Sequence, residues 1–336
     1  MPLGPRDVGH RVVVRYLLAV PEPGASATDV LGLLRAYDHE ALEVETEAGE
    51  RVRVPLERVV AGKPVPPRPA PRRRIGTDEL QRVCADGWPA RTVEWLGDWR
   101  LREAAGFTGR ANSVLPVGDP GVPLDDALAA VAGFYAGFQL QPLAQAVIGA
   151  PIEQQLFDAG WEVARHKAGA LVQVASVAQA RRARRATAGA DVEVLDAPTD
   201  AWMSVYGRTA GVPADVVAGV LAGPELTAFA AVAADRPEGP VAIGRGVVSG
   251  DWLGLAAVEV VPARRREGLA GRIVDALLEW GAEQGAVSAY LQTLPDNTAA
   301  LALYEPYGFV THHRYRYLAP GPGARARPEA DRDPSR

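Results

Sequence analysis

Residues 260–274 read VVPARRREGLAGRIV, an order that predicts a strand, a short turn and a helix in direct succession. The apolar run 253–261 is typical of a buried strand. After the turn, Leu269, Ile273, Leu277 and Trp280 recur at helical spacing and would share one helix face. The arginine-rich turn between them has three possible roles: a solvated loop, a patch for nucleic acid, or a phosphate-binding turn.

A phosphate-binding turn is physically reasonable because the first turn of a helix has backbone N–H groups without partners inside the helix. The helix N-terminus also carries partial positive charge, and Gly268 and Gly271 have no Cβ to keep an anion away from the backbone. The formal net charge of -5 argues against a general attraction to nucleic acid. On these residues alone, a solvated loop is as good an interpretation as a phosphate-binding turn.

A second motif, NTAALALYEPYGF at residues 297–309, decides between the two. Together with VEVVPARRREGLAG at 258–271, it resembles the GNAT superfamily of acyl-CoA-dependent N-acyltransferases in the family's order and spacing. The resemblance covers residues 190–318 strongly and 9–175 moderately. It implies an α/β (α+β) mixed-sheet GNAT fold and acetyl-CoA as the co-substrate.

The resemblance also implies a cofactor site. The backbone of 258–260 would pair with the pantetheine arm of CoA, the amides of 266–271 would hold its pyrophosphate, and Asn297 would lie beside the pantetheine. The implied cofactor-binding residues are Val258, Val260, Arg265, Arg266, Gly268, Leu269, Ala270, Gly271 and Asn297.

Two side chains are candidates for proton transfer. Tyr304 matches the family position that protonates the departing thiolate of CoA. Glu259 is the only carboxylate on the predicted central strand and is the candidate base, directly or through water, whereas Gln292 stands where some relatives have a glutamate. The alternative for both residues is a purely structural role, with Glu259 on the strand surface and Tyr304 packed beneath the cofactor.

The predicted reaction is direct transfer of an acetyl group to a primary amine of a small molecule or a protein. Trp202 and Tyr206 are predicted to line the acceptor groove, although an aromatic pair at this spacing is more often part of a core. The single cysteine, Cys84, is predicted to lie outside the site, and the five histidines show no metal-ligand spacing.

A different class of function is also compatible with the sequence: a CoA sensor, or a peptide- or nucleic-acid-binding module, without transferase activity. No run of about 20 apolar residues is free of charge, so we expect no membrane association and a cytoplasmic protein.

Composition shifts predict several segments. Alternating short runs at 1–62 favour an SH3-like β-barrel, which could bind a partner or pack on the GNAT units, and the linker 63–75 is rich in proline and arginine. The remaining segments are a degenerate GNAT-like unit at 76–175, a basic connector at 176–189, a catalytic GNAT domain at 190–318 and a disordered tail at 319–336.

The assignment of a degenerate first copy rests on two stretches that match with one gap, QQLFDAGWEVARH at 154–166 and LALYEPYGFVTHH at 301–313. Phe157 falls where the second copy has Tyr304, so the first copy would lack the proton donor. A tandem unit preceded by a barrel resembles an actinobacterial GNAT subfamily.

Overall fold

The computed structural model describes residues 3–22, 25–46, 50–64, 75–183, 192–233, 239–322 and 324. The chain divides into two compact units, Met1–Ala70 and Pro71–Arg336. This division falls inside the predicted linker 63–75, whose residues 65–74 lie outside the described residues.

The first unit is an antiparallel sheet of five strands in its described part. The strands are β1 (Arg11–Glu22), β2 (Ala25–Tyr37), β3 (Ala41–Thr46), β4 (Arg51–Pro55) and β5 (Val59–Pro64), in the order β4-β3-β2-β1-β5. One residue in two along the strands faces a shared core, as with Val12 and Val14 on β1 and Val44 on β3. The predicted run RVRVPLERVV forms two strands, because a 3₁₀ turn at Leu56–Arg58 interrupts it.

The second unit is a mixed α/β structure. Its helices, numbered along the described chain, are α1 (Thr77–Asp86), α2 (Leu124–Gly137), α3 (Pro151–Asp158), α4 (Val177–Arg182), α5 (Asp200–Tyr206), α6 (Ala214–Ala222), α7 (Leu269–Glu283) and α8 (Thr298–Tyr304). Its strands are β6 (Thr92–Leu96), β7 (Trp99–Glu103), β8 (Ala144–Val147), β9 (Trp161–Val163), β10 (Ala170–Ser176), β11 (Val192–Leu195), β12 (Leu226–Val232), β13 (Ala242–Ser249), β14 (Trp252–Val260), β15 (Ser288–Thr293) and β16 (Val310–Pro320).

Nine strands of the described chain form one sheet, in the order β11-β12-β13-β14-β15-β10-β16-β8, with β9 also paired to β16. Strand β10, the last strand of the stretch 76–175, lies between β15 and β16. The two predicted GNAT-like stretches therefore share a sheet and a compact unit, instead of forming two sheets packed on each other. Strand β10 pairs with the facing edges of β15 and β16. Without it, buried backbone N–H and C=O groups on these edges would lack partners, which is costly.

A β-bulge in β14 sets which side chains face which side of the sheet. Between the pairs Ile243↔Glu259 and Arg245↔Ala256, β14 has two residues opposite the single Gly244 of β13, and Ala257 has a φ of 52°. One extra residue reverses the alternation of side chains. As a result Val258 packs on the α7 side, while Ala256 and Ala257 pack on the opposite side with α5 and α6.

Two further sequence predictions need correction. The stretch RANSVLPV at 110–117 has the apolar character that predicts a strand, but it forms only isolated bridges, Arg100↔Leu115 and Val114↔Ala144. The predicted tail begins too early, since β16 continues through Pro320 by pairing with β9; residues 323 and 325–336 lie outside the described residues.

The connector 176–189 begins as helix α4, capped by Ser176, and Arg181 pairs with Glu279 of α7. Residues 184–191 lie outside the described residues. None of the helices in the described part of the chain combines the length and apolar character needed to span a bilayer.

Candidate active site

The central feature of the site is a fork in the sheet, where the two parallel strands β14 and β15 separate. Their register runs from Trp252↔Ser288 to Leu255↔Leu291 and stops there, although both strands continue. Residues 256–260 pair with β13 on one edge, and their other edge has no partner strand among the described residues. This edge presents backbone N–H and C=O groups to a gap in the sheet, and an extended ligand could add to it as a strand does.

Val258 and Val260 contribute to this edge through their backbone. Their side chains are partly buried and pack against the core beneath α7, so they hold the strand in place. These side chains are already in use, and the backbone role of both residues stays a prediction.

The arginine run forms a shaped turn between β14 and α7. The turn starts with a 3₁₀ turn at Pro262–Arg264, and Nε of Arg264 donates to the Glu267 carboxylate at 2.8 Å. Nε of the next residue, Arg265, donates to the Val260 carbonyl at 3.3 Å. Two of the three arginines therefore brace the turn, while the exposed Arg266 takes a left-handed φ of 71°.

Helix α7 begins at this turn with an uncapped N-terminus. Gly268 is its N-cap at φ 79°, no side chain accepts from the first N–H groups, and no acidic residue lies in the first turn. A Cβ placed on Gly268 would meet nothing within 4 Å, so the space over the helix end is open. These features favour an anion at the end of α7.

The remaining residues of the first turn divide between core and site. Leu269 is buried in the core, so only its backbone N–H is available, whereas Ala270 and Gly271 are partly exposed. Tyr307 Oη donates to the Gly271 carbonyl at 3.1 Å and lies 2.9 Å from Asp275 Oδ1, which fastens this turn to the loop after α8. Sequence analysis did not assign this role to Tyr307, although the residue lies within the motif 297–309.

The segment 297–309 follows β15, the other strand of the fork. Asn297 is the exposed N-cap of α8, and its Oδ1 accepts from the Ala300 N–H at 3.1 Å, which leaves its amide nitrogen to donate. Tyr304 is buried at the end of α8 against Phe309, with ring centroids 5.4 Å apart. The Tyr304 hydroxyl has no hydrogen-bond partner in the described part of the chain, and burial raises its pKa, so the phenol keeps its proton.

Glu259 lies on the side of the sheet opposite α7, as the bulge requires. Its Oε1 is 2.9 Å from Nη2 of Arg208, which follows α5. Burial is the main influence on the Glu259 carboxyl and raises its pKa, while Arg208 and Arg265 oppose the change. A carboxylate with a raised pKa is suited to accept a proton near neutral pH.

The prediction that Trp202 and Tyr206 line a groove is wrong. The Trp202 ring is fully buried, its Nε1 donates to the Ala230 carbonyl at 3.1 Å, and Tyr206 stacks on it with centroids 5.6 Å apart and is itself only 4% exposed. Helix α5 places both rings in the core that it forms with β12 and β13, because burying its apolar face stabilises the helix.

Cys84 lies near the base of the fork, apart from the predicted site residues. It lines a pocket at the base of the fork, together with Trp88, Ala256 and Gln292. Burial raises the pKa of the Cys84 thiol, which keeps it neutral and a poor nucleophile. The described residues contain no group of three or more histidine, cysteine or acidic side chains placed to hold a metal.

Comparison with known proteins agrees with this geometry. Residues 77–318 match the family model "Probable histone acetyltransferase Rv0428c C-terminal", and residues 6–63 match "Rv0428c N-terminal Sm-like domain". The predicted SH3-like barrel thus corresponds to a small β-rich domain of the Sm-like type.

Two relatives match long stretches of the chain. The chain is 31% identical over 326 residues to "Probable histone acetyltransferase Rv0428c" of Mycobacterium tuberculosis, with 93% of this chain and 95% of the relative covered. It is 26% identical over 252 residues to "Uncharacterized N-acetyltransferase YobR" of Bacillus subtilis, with 71% and 97% covered.

Solved structures share the fold at low identity. A GCN5-related N-acetyltransferase from Kribbella flavida superimposes with a TM-score of 0.53 at 18% identity, covering 73% of this chain and 95% of that one. A tandem GNAT protein from the clavulanic acid biosynthesis pathway gives 0.51 at 12% identity, covering 73% and 88%. With its forked sheet and its Sm-like first domain, the chain belongs to the Rv0428c-like family of GNAT acetyltransferases.

Proposed function

We propose that the protein transfers an acyl group, most simply acetyl, from acyl-CoA directly to a primary amine. The observation that carries the proposal is the unpaired edge of β14 at 256–260, which leads to the uncapped N-terminus of α7. An extended arm ending in a pyrophosphate matches both features, since the arm can pair with a strand edge and the anion with a helix end.

The chemistry of the residues present suits CoA. The backbone at Val258 and Val260 would hold the pantetheine arm, and the N–H groups of 266–271 would hold the pyrophosphate over the open space at Gly268. Arg265 and Arg266 add positive charge to this turn, and the free amide nitrogen of Asn297 would donate to the arm. When bound, acyl-CoA supplies an electrophilic thioester carbonyl.

In the proposed reaction the amine nitrogen forms a bond to the acyl carbon, and the carbon–sulfur bond breaks. Glu259 takes the proton that the amine loses, directly or through water, and Tyr304 gives its proton to the departing sulfur. A backbone N–H at the bulge would stabilise the negative charge that develops on the carbonyl oxygen. The neutral thiol of Cys84 supports transfer without a covalent enzyme intermediate.

The acceptor is an amine carried by a small molecule or a protein. A relative is named a histone acetyltransferase, which makes the lysine side chains of a protein one acceptor class to test. The face of the sheet that carries Glu259 is the side from which this amine would approach.

Calorimetric titration of acetyl-CoA and CoA tests the proposal without knowledge of the acceptor. The variants are Gly268→Asp and the matched Gly268→Asn, because both side chains tolerate the left-handed conformation at Gly268 and only aspartate is charged. We expect the wild type to bind CoA, the asparagine variant to retain most of the affinity, and the aspartate variant to bind at least about tenfold more weakly than the asparagine variant.

A wild type that binds no CoA would refute the proposed function. Equal loss of affinity in the two variants would show that the pyrophosphate does not lie at the end of α7.

A further inference from the structure

A small pocket opens at the base of the fork, on the side of the sheet that carries Glu259. The pocket is narrow and partly open to solvent. Its floor includes Gly254 and Tyr290, a pair of β14 and β15 one step before their pairing ends, and its wall is the end of α1 with Trp88. A group bound here would lie next to Ala256, where the unpaired edge of β14 begins.

Two guanidinium groups flank Trp88 in this pocket. The Cζ of Arg110 lies 4.2 Å from the centroid of the Trp88 ring, and the Cζ of Arg245 lies 5.1 Å from it. Both arginines line the pocket, whose described lining contains no carboxylate. The pocket therefore concentrates positive charge close to the transfer site.

The two arginines differ in their partners. Arg245 is buried and fully used, because it donates to the carbonyls of Leu221, Gly87 and Val220 at 2.6, 3.0 and 3.4 Å. The half-buried guanidinium of Arg110 makes no hydrogen bond or ion pair with any residue that the structure describes, and only the face of Trp88 holds it. Leaving a partly desolvated guanidinium without an anion beside a second cation is unfavourable.

An uncharged hydrogen-bond donor in the pocket also favours a bound anion. Gln292 also lines the pocket, and its Oε1 accepts from Tyr315 Oη at 2.9 Å. That bond orients the amide so that its NH₂ group is the free end, with no partner in the described part of the chain. A guanidinium fork and an amide NH₂ together match the two oxygens of a carboxylate.

We propose that Arg110 binds a carboxylate carried by one of the two substrates, either the acceptor amine or the acyl chain of the donor. The proposal rests on the proposed function, because it places this carboxylate beside the reacting carbonyl. Arg110 is thus a specificity-determining residue. Arg245, held by the backbone, keeps Trp88 in position as the platform on which Arg110 lies.

The test has two arms, one for each source of the carboxylate. In the donor arm, acetyl-CoA and succinyl-CoA are titrated calorimetrically. In the acceptor arm, glycine, β-alanine and γ-aminobutyrate are each compared with their own amides, with CoA release from acetyl-CoA as the readout. The variants are Arg110→Gln and Arg110→Lys, and Arg91→Gln is the control because Arg91 lies on the surface beside Asp215.

We expect the wild type to prefer the carboxylate member of a pair by roughly 10- to 100-fold in one of the two arms. Arg110→Gln should abolish that preference while its affinity for acetyl-CoA stays the same. Arg110→Lys, which keeps the charge but not the fork, should retain part of the preference. Arg91→Gln should behave like the wild type.

A wild type that binds acetyl-CoA but prefers no carboxylate in either arm would overturn the inference and leave the proposed function standing. A preference that survives Arg110→Gln would do the same. Failure of the wild type to bind either thioester would refute both.

Discussion

Replacing Trp202 with alanine is the sharpest test of the fold around the site, because sequence analysis and structure disagree about this residue. A groove residue would affect substrate binding and leave the stability nearly unchanged. In the structure the Trp202 ring is fully buried, contacts Tyr206 and Phe229, and donates a hydrogen bond to Ala230. Truncating a buried tryptophan to alanine costs about 3–5 kcal/mol, because apolar contacts are lost and a cavity remains.

This loss would be a large share of the total, since domains of this kind unfold at a cost of about 5–15 kcal/mol. With a urea dependence of about 3 kcal/mol per molar, the unfolding midpoint would fall by roughly 1–2 M. Trp202→Phe keeps an aromatic ring and removes the hydrogen bond to Ala230, so a smaller loss of about 1–3 kcal/mol is expected.

Tryptophan fluorescence during urea unfolding is the appropriate assay. All seven tryptophans of the chain follow Ala70, so the signal reports on the second unit alone. Trp95→Ala is the matched control: Trp95 is 60% exposed, and its main contact is Arg100, whose Cζ lies 4.8 Å from the ring centroid. That variant should lose no more than about 1 kcal/mol.

The reasoning would be refuted if Trp202→Ala were as stable as Trp95→Ala, within about 1 kcal/mol. A weaker binding of acceptor at unchanged stability would restore the groove interpretation of Trp202.

Three further predictions concern single ionisable groups. Burial raises the pKa of Glu259 above its ordinary value of 4.5, so kcat/KM should fall as the pH drops through that raised pKa. Glu259→Gln should be slower by about 10²–10⁴-fold, and its kcat/KM should no longer show this fall at acid pH. Tyr304→Phe should bind CoA as the wild type does in calorimetry but turn over about 10²-fold more slowly, and a normal rate would exclude Tyr304 as the proton donor. Burial, and then His312, lower the pKa of His313 to about 4, so the unfolded state takes up a proton between pH 6.5 and 4 that the folded state does not. As the pH falls across this window, thermal unfolding of the second unit should therefore occur at a lower temperature. This decrease in unfolding temperature should be smaller in His313→Gln than in the wild type, whereas His312→Gln should retain most of it.

The structural role of His313 was not foreseen, since the sequence indicated only that the histidines lack metal-ligand spacing. His313 lies 2.5 Å from Nε2 of Gln81 on α1, and Gln81 in turn accepts from Gln145 of β8. These partners are 232 and 64 residues away from one another along the chain, so no local pattern announces them. A buried polar network of this kind depends on which elements meet, which a strand pattern does not encode.

The candidate site shows a similar division between predicted and unforeseen features. The strand, turn and helix around Gly268 were predictable, because apolar periodicity and helix termini are short-range properties of the chain. The presence of Cys84, Arg110 and Gln292 in one pocket was not, since it requires α1, the loop before α2, and β15 to come together.

The sequence by itself determined much of the order of elements, the small β-rich first domain and the strand, turn and helix around Gly268, since each depends on neighbouring residues. Tertiary structure alone decided that β10 enters the sheet between β15 and β16, that Trp202 is core, and that Glu259 faces away from α7. Strand side chains alternate with a period of two, so the single extra residue at the Ala257 bulge is enough to reverse their direction, and only pairing with β13 shows where that residue lies.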